Sequence, residues 1–129
     1  MFILELRMYD EGPYDYAGAT AACNARGMAV VLIESADENT QVGTLLPQEG
    51  NSWAWIRNPS LAANNNYSNF LPGRGDNVNN ECTRFFSLVW GSHHDEWDDQ
   101  ECSSQGPVVC EKLVQTETTQ GRRNIHLSH

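Results

Sequence analysis

The side chains best suited to chemistry are crowded into the second half of this chain. His93-His94-Asp95-Glu96 has the residue types of a metal or acid–base cluster, and Trp97-Asp98-Asp99 follows directly. Adjacent residues of a strand point to opposite sides, so His93 and His94 are badly placed to share one metal, and a surface turn is the simpler reading. No nucleophile elbow and no Ser/His/Asp order occurs. Glycoside hydrolysis would need two carboxylates flanking a bond in a cleft, which spacing alone does not supply. The residues therefore point to binding, and the chain is read as a non-enzyme.

The four cysteines, Cys23, Cys82, Cys102 and Cys110, are an even number with no C-x-x-C pair, so zinc and thioredoxin-like redox chemistry give way to a disulfide framework. Four cysteines allow three pairings, and the residues alone leave all three open. Disulfides persist in oxidising compartments, which predicts a secreted, extracellular protein. The apolar start Met1-Phe2-Ile3-Leu4 breaks at Glu5, too short for a secretion leader, so the chain is read as a mature form. Nothing approaches the roughly 20 apolar residues of a membrane span, and no membrane insertion is expected. With 17 acidic against 8 basic residues the formal charge is −9, which disfavours nucleic acid and anionic membranes and leaves a cation or a neutral sugar as the easier partner. Asn66-Tyr67-Ser68 is an acceptor for N-glycosylation. Arg74-Gly75-Asp76 spells the integrin-recognition tripeptide, and a cell-adhesion module is the alternative function that it raises.

The elements that must position these residues form one domain in 129 residues. Residues 2–9 alternate like a half-buried strand from Leu4 onward, and Asp10-Glu11-Gly12-Pro13 is expected to turn the chain. Asp15 caps a first helix of about Tyr16–Arg26, with Tyr16, Thr20 and Cys23 on one face and Gly27 at its end. Met28–Ile33 is an apolar run. Ser35-Ala36-Asp37-Glu38 is a capping box that opens a second helix, in which Val42, Leu45 and Leu46 form the buried stripe and Pro47 is the stop. Trp53-Ala54-Trp55-Ile56 reads as a strand. The polar stretch from Asn58 to Asn80 is too long for an idle connection and is expected to be functional. Cys82–Trp90 and Val108–Lys112 supply two more strands with Trp97 between them, and the tail from Val114 is expected to be loose.

In order and spacing, the helix carrying Cys23, the capped second helix, Trp55-Ile56, the long polar loop, Cys82, Trp97-Asp98-Asp99, Cys102 and Val109-Cys110-Glu111-Lys112 resemble the C-type lectin-like domain. The resemblance covers residues 1–113 and leaves 114–129 as a polar C-terminal tail. It departs at Trp55-Ile56-Arg57-Asn58, where the family has Trp-Ile-Gly-Leu. The resemblance implies an α+β fold, two helices flanking small antiparallel sheets with a long ligand-binding loop, and the pairings Cys23–Cys110 and Cys82–Cys102. On chain-entropy grounds the wide bridge contributes roughly 4–5 kcal/mol and the narrow one about 3.

In sugar-binding members a loop tripeptide, an acid before the third cysteine and an Asn-Asp pair after a tryptophan surround a calcium ion, whose shell of 6–8 oxygens a sugar's hydroxyls can complete. The aligned tripeptide here is Arg74-Gly75-Asp76, followed by Asn80 and Glu81 and then by Asp98 and Asp99. A guanidinium has donors only and cannot ligate a metal. Either Arg74 replaces the cation and pairs with the acids, or it points away and Asp76, Glu81, Asp98 and Asp99 hold calcium weakly. Either no cofactor or weak calcium is therefore expected. The resemblance implies a lectin for cell-surface glycans that uses Arg74, Asp76, Asn80, Glu81, His93, Asp98 and Asp99. N-acetylated sugars are candidate ligands, and a homo-oligomer, a dimer in the simplest case, would supply avidity.

Overall fold

The structure, a computed structural model, describes residues 2–47, 52–58, 67–74, 81–87, 94–115 and 124–128, with the backbone alone at 2, 81, 115 and 124–128. The elements are β1 (Phe2–Tyr14), α1 (Tyr16–Asn24), β2 (Ala29–Val30), α2 (Ala36–Leu45), β3 (Trp53–Ile56), β4 (Glu81–Phe86), β5 (Glu96–Glu101), β6 (Gly106–Gln115) and β7 (Asn124–Ser128).

Both helices start where their caps dictate. The Gly18 N–H donates to Asp15 Oδ1 at 2.7 Å, and the Glu38 N–H donates to Ser35 Oγ at 3.2 Å, each satisfying a donor that the first helical turn leaves over. Gly27, at φ +70°, takes the left-handed conformation that ends the α1 region. The α1 face toward the sheet is Ala19 and Cys23, with Tyr16 set edge-on to Trp55 at 5.6 Å. Val42, Leu45 and Leu46 of the α2 region are buried, as their spacing requires.

The strands join in one mixed sheet in the order β5-β4-β3-β6-β1-β7, with β2 paired to β6. The β3–β6 and β1–β7 pairings are parallel and the others antiparallel. Because strand side chains alternate, the sheet buries two separate clusters. Leu4, Leu6, Ala54, Ile56, Phe85 and Trp97 meet α2, whereas Trp55, Val108 and Cys110 meet α1. The bridges are Cys23–Cys110 and Cys82–Cys102, so the pairing that the resemblance implies is the one formed. Among the described residues no helix is long and apolar enough to cross a membrane.

Four local expectations change. Asp10–Pro13 does not turn the chain, because β1 continues to Tyr14 and a register shift between Tyr9 and Tyr14 absorbs the extra residues. Trp97 lies in a strand of its own, β5. The expected strand Cys82–Trp90 ends at Phe86, and 88–90 lie outside the described residues. The segment after Val114 is not loose throughout. Strand β6 runs to Gln115, and Asn124–Ser128 pairs in parallel with Ile3–Arg7. The Arg57 departure also has a structural account. Its Nη2 donates to Val30 O at 3.1 Å and to Glu111 Oε1 at 3.2 Å, and the Leu32 N–H donates to the same carboxylate oxygen at 2.7 Å. The end of β3 is thereby fastened to β2 and β6.

Candidate functional site

Strand β5 is the edge of the sheet, held by β4 in a regular register that sets Arg84 opposite Asp98 and Thr83 opposite Asp99. Successive residues of a strand face opposite ways, so Asp98 lies on the α1 side with Arg84, and Asp99 on the α2 side with Trp97. Both acids are buried, at 7% and 5% exposure.

On the α1 side, Arg84 Nη2 donates to Asp98 Oδ2 at 3.3 Å, and its guanidinium lies over Phe86 and Trp53, 4.5 and 5.2 Å from the ring centroids. Burial pulls the Arg84 pKa below its ordinary value, the hydrogen bond and charge of Asp98 oppose this, and the Arg74 cation adds to the lowering. Arg74 Nε stands 3.4 Å from Asp98 Oδ1. Two guanidinium groups thus bracket one carboxylate.

Arg74 is delivered by a short stitched segment. The Trp97 N–H donates to Asn69 O, and the Leu71 N–H donates to Trp97 O, so 69–71 runs alongside β5. Pro72 and then Gly73, at φ +77°, turn the chain, closed by the Arg74 N–H on Leu71 O at 3.0 Å. The Arg74 side chain is 51% exposed. With Nε on Asp98, its terminal nitrogens carry no other ion pair among the described residues. The group that faces solvent is therefore a cation anchored from below by a buried acid.

The α2 side is scaffold. Trp97 Nε1 donates to Asn39 Oδ1 at 2.8 Å, and Tyr67 and Phe70 meet the indole edge-on at 5.8 and 5.3 Å. Asn39 and Asn69 both donate to Asp95 O, at 2.8 and 2.7 Å. Asp95 occupies a left-handed conformation at φ +58°, and its carboxylate lies over Gly43, where a Cβ would find no room. Desolvation raises the Asp95 pKa, with His94 opposing. His94 itself is exposed, 3.9 Å from that carboxylate.

Of the expected site residues, the structure brings Arg74 and Asp98 together and turns Asp99 to the other face. Asp76, Asn80 and His93 lie outside the described residues, as do Gly75, Asn66 and the side chain of Glu81. Sequence reasoning missed Arg84 and Asn39. Arg84 had one usable signal, since β4 and β5 flank a bridge that starts at Cys82.

The described residues do not suit calcium. The Asp98 oxygens face two guanidinium groups, Asp99 lies across the sheet, and no group of three or more His, Cys, Asp or Glu among them could hold a metal ion.

The family model for the lectin C-type domain matches residues 13–112. No curated protein matches the sequence. Among solved structures, the carbohydrate-recognition domain of cow CD23, determined with a GlcNAc2Man3 oligosaccharide, is 23% identical with a TM-score of 0.64, covering 84% of this chain and 88% of that one. A Ca2+-independent C-type lectin, SPL-2 of Saxidomus purpuratus, is 24% identical with a TM-score of 0.62, covering 81% and 83%. A calcium-independent type II antifreeze protein is 19% identical with a TM-score of 0.62, covering 81% and 84%.

Proposed function

Since the chain belongs to the lectin C-type domain family, we propose that it is an extracellular, non-enzymatic glycan-binding protein whose recognition at the Arg74 surface does not require calcium. The observation that carries this reading is the pair of guanidinium groups on Asp98. A calcium ion in a sugar site supplies fixed positive charge and fixed geometry. Here Asp98 holds the Arg74 fork in place, and the fork offers charge-assisted hydrogen bonds to sugar oxygens. Such a donor array favours sugars with a strong acceptor, so N-acetylated hexoses are the preferred class. Asp76, Asn80, Glu81 and His93 complete the surface in this reading, and the two disulfides suit an oxidising compartment. The SPL-2 resemblance supports a calcium-free mode within this fold, and the antifreeze resemblance shows why the fold alone does not choose the ligand.

The test is calorimetric titration of N-acetylglucosamine in chelator, wild type against Arg74→Glu. Wild-type binding is expected to persist, and the variant to lose at least tenfold in affinity at the Arg74 surface while melting within about 2 °C of wild type, since an exposed side chain contributes little to stability. Wild-type binding that vanishes in chelator and returns with calcium overturns the mechanism.

A further inference from the structure

Trp53 underlies Arg84 on the Asp98 side of the sheet, yet its setting is unlike that of its neighbours. Trp55 and Trp97 are fully buried, whereas the Trp53 indole is partly exposed and walls a cleft of about 380 Å3 where β3 and β6 begin. Leu46, Pro47 and Pro107 form other walls, and the exposed Asp10 and Gln105 stand among the lining residues. Volumes of roughly 300–1,000 Å3 with apolar walls and a few polar groups characterise small-molecule sites.

The indole is held before any ligand arrives. A Cβ on Gly106 would lie 2.5 Å from Trp53 Cη2, so the ring rests directly against β6 because residue 106 is glycine. Trp55 meets it edge-on at 5.0 Å, and the Arg84 cation stands 5.2 Å from its centroid. A fixed wall spares a ligand the entropy of ordering it.

We propose that this cleft is a second carbohydrate site, taking one pyranose ring with its C–H face on Trp53 and its hydroxyls at Asp10 and Gln105. Leucine and proline side chains provide no polar atoms, and proline has no N–H, so the body of the cleft asks for C–H surface. The carboxylate and carboxamide ask for groups that donate and accept. A pyranose carries an apolar face and a rim of hydroxyls on one rigid ring. An alkyl chain answers the walls alone, and a small cation answers Asp10 alone. Two sites on one chain would let a single copy bridge two glycans, giving avidity without an oligomer. The proposed ligand contacts, Trp53, Asp10 and Gln105, include neither Arg74 nor Asp98, while Arg84 borders both regions, so the two sites are read separately in the test.

The experiment is titration of the isotope-labelled chain with methyl N-acetylglucosaminide in chelator, followed by NMR. The Trp53 indole N–H and Gly106 amide resonances are expected to shift saturably in wild type and equally in Arg74→Glu. In the double variant Asp10→Ala, Gln105→Ala, whose substitutions are both at exposed positions, affinity read at those resonances should fall at least tenfold. Saturable shifts at Arg74 with none at Trp53 and Gly106 overturn the cleft and leave the Arg74 reading intact. Shifts at Trp53 and Gly106 that disappear in Arg74→Glu also overturn a separate site. No saturable shift anywhere overturns both.

Discussion

Asp98 and Asp99 are adjacent in sequence, but the two faces of β5 put them to different uses. The Asp98 face is charged and half open, with one carboxylate between two arginines over an aromatic floor. The Asp99 face is closed, built on Trp97 and stitched to α2 through Asn39. A single strand can therefore present chemistry on one side and rest on a packed core with the other, so a triplet such as Trp97-Asp98-Asp99 should not be treated as one site.

Breaking the closed face should have the largest effect. Trp97→Ala empties a fully buried position and is expected to cost about 3–5 kcal/mol, a large part of the 5–15 typical of a small domain. Denaturant unfolding measures it, and a loss below about 1 kcal/mol would mean that the indole is not the keystone of this face. Asn39→Ala is gentler. It leaves the Trp97 indole N–H without its acceptor and removes one of two donors to Asp95 O, for an expected cost of about 1–3 kcal/mol in the same measurement. The contrast with the charged face is direct, because Arg74→Glu should weaken binding at the Arg74 surface at least tenfold while barely moving the melting temperature.

The smallest effect lies at the seam between the faces. Asp95→Asn preserves a residue tolerant of the left-handed conformation and removes the charge, exchanging one carboxylate oxygen for an amide NH2 of similar size. A carboxyl whose folded pKa lies above its unfolded value near 3.9 holds its proton more tightly when folded, so ionisation above the folded pKa costs stability and protonation below both values removes the cost. The variant should therefore melt above wild type at pH 7, and the gap should close as pH falls through the folded pKa toward the unfolded value. A gap that widens on acidification would refute the assignment of desolvation as the cause.

Much of the scaffold was legible in the sequence because its signals are local. Asp15, Ser35 with Glu38, and Gly27 act within one helical turn of themselves, and Val42, Leu45 and Leu46 follow helical spacing. Strand β5 was not legible. Of Glu96-Trp97-Asp98-Asp99-Gln100-Glu101 only Trp97 is apolar, because partners on β4 and the loop, rather than a hydrophobic stripe, make its polar residues inward-facing. Strand β7 was hidden for a different reason, since the strand it pairs with, β1, lies more than a hundred residues earlier. In the site, Arg74 stood out as a cation where an oxygen was expected. Arg84 did not, since only the strand register reveals that it faces Asp98.

That register gives the Cys82–Cys102 bridge a meaning beyond its contribution to stability. Strand β5 lies at the sheet edge, with β4 on one side and the short 69–71 segment on the other, and its six residues include four acids, so little in its composition distinguishes one alignment from the next. A slip of one residue against β4 would turn every side chain to the opposite face, bringing Asp99 to the arginines and swinging Trp97 out of the core. Cys82 sits in β4 opposite Gln100, and its bond to Cys102, two residues further on, fixes where β5 begins to be counted. The bridge thus acts as a reading frame: it helps set which of two identical neighbours faces the arginines.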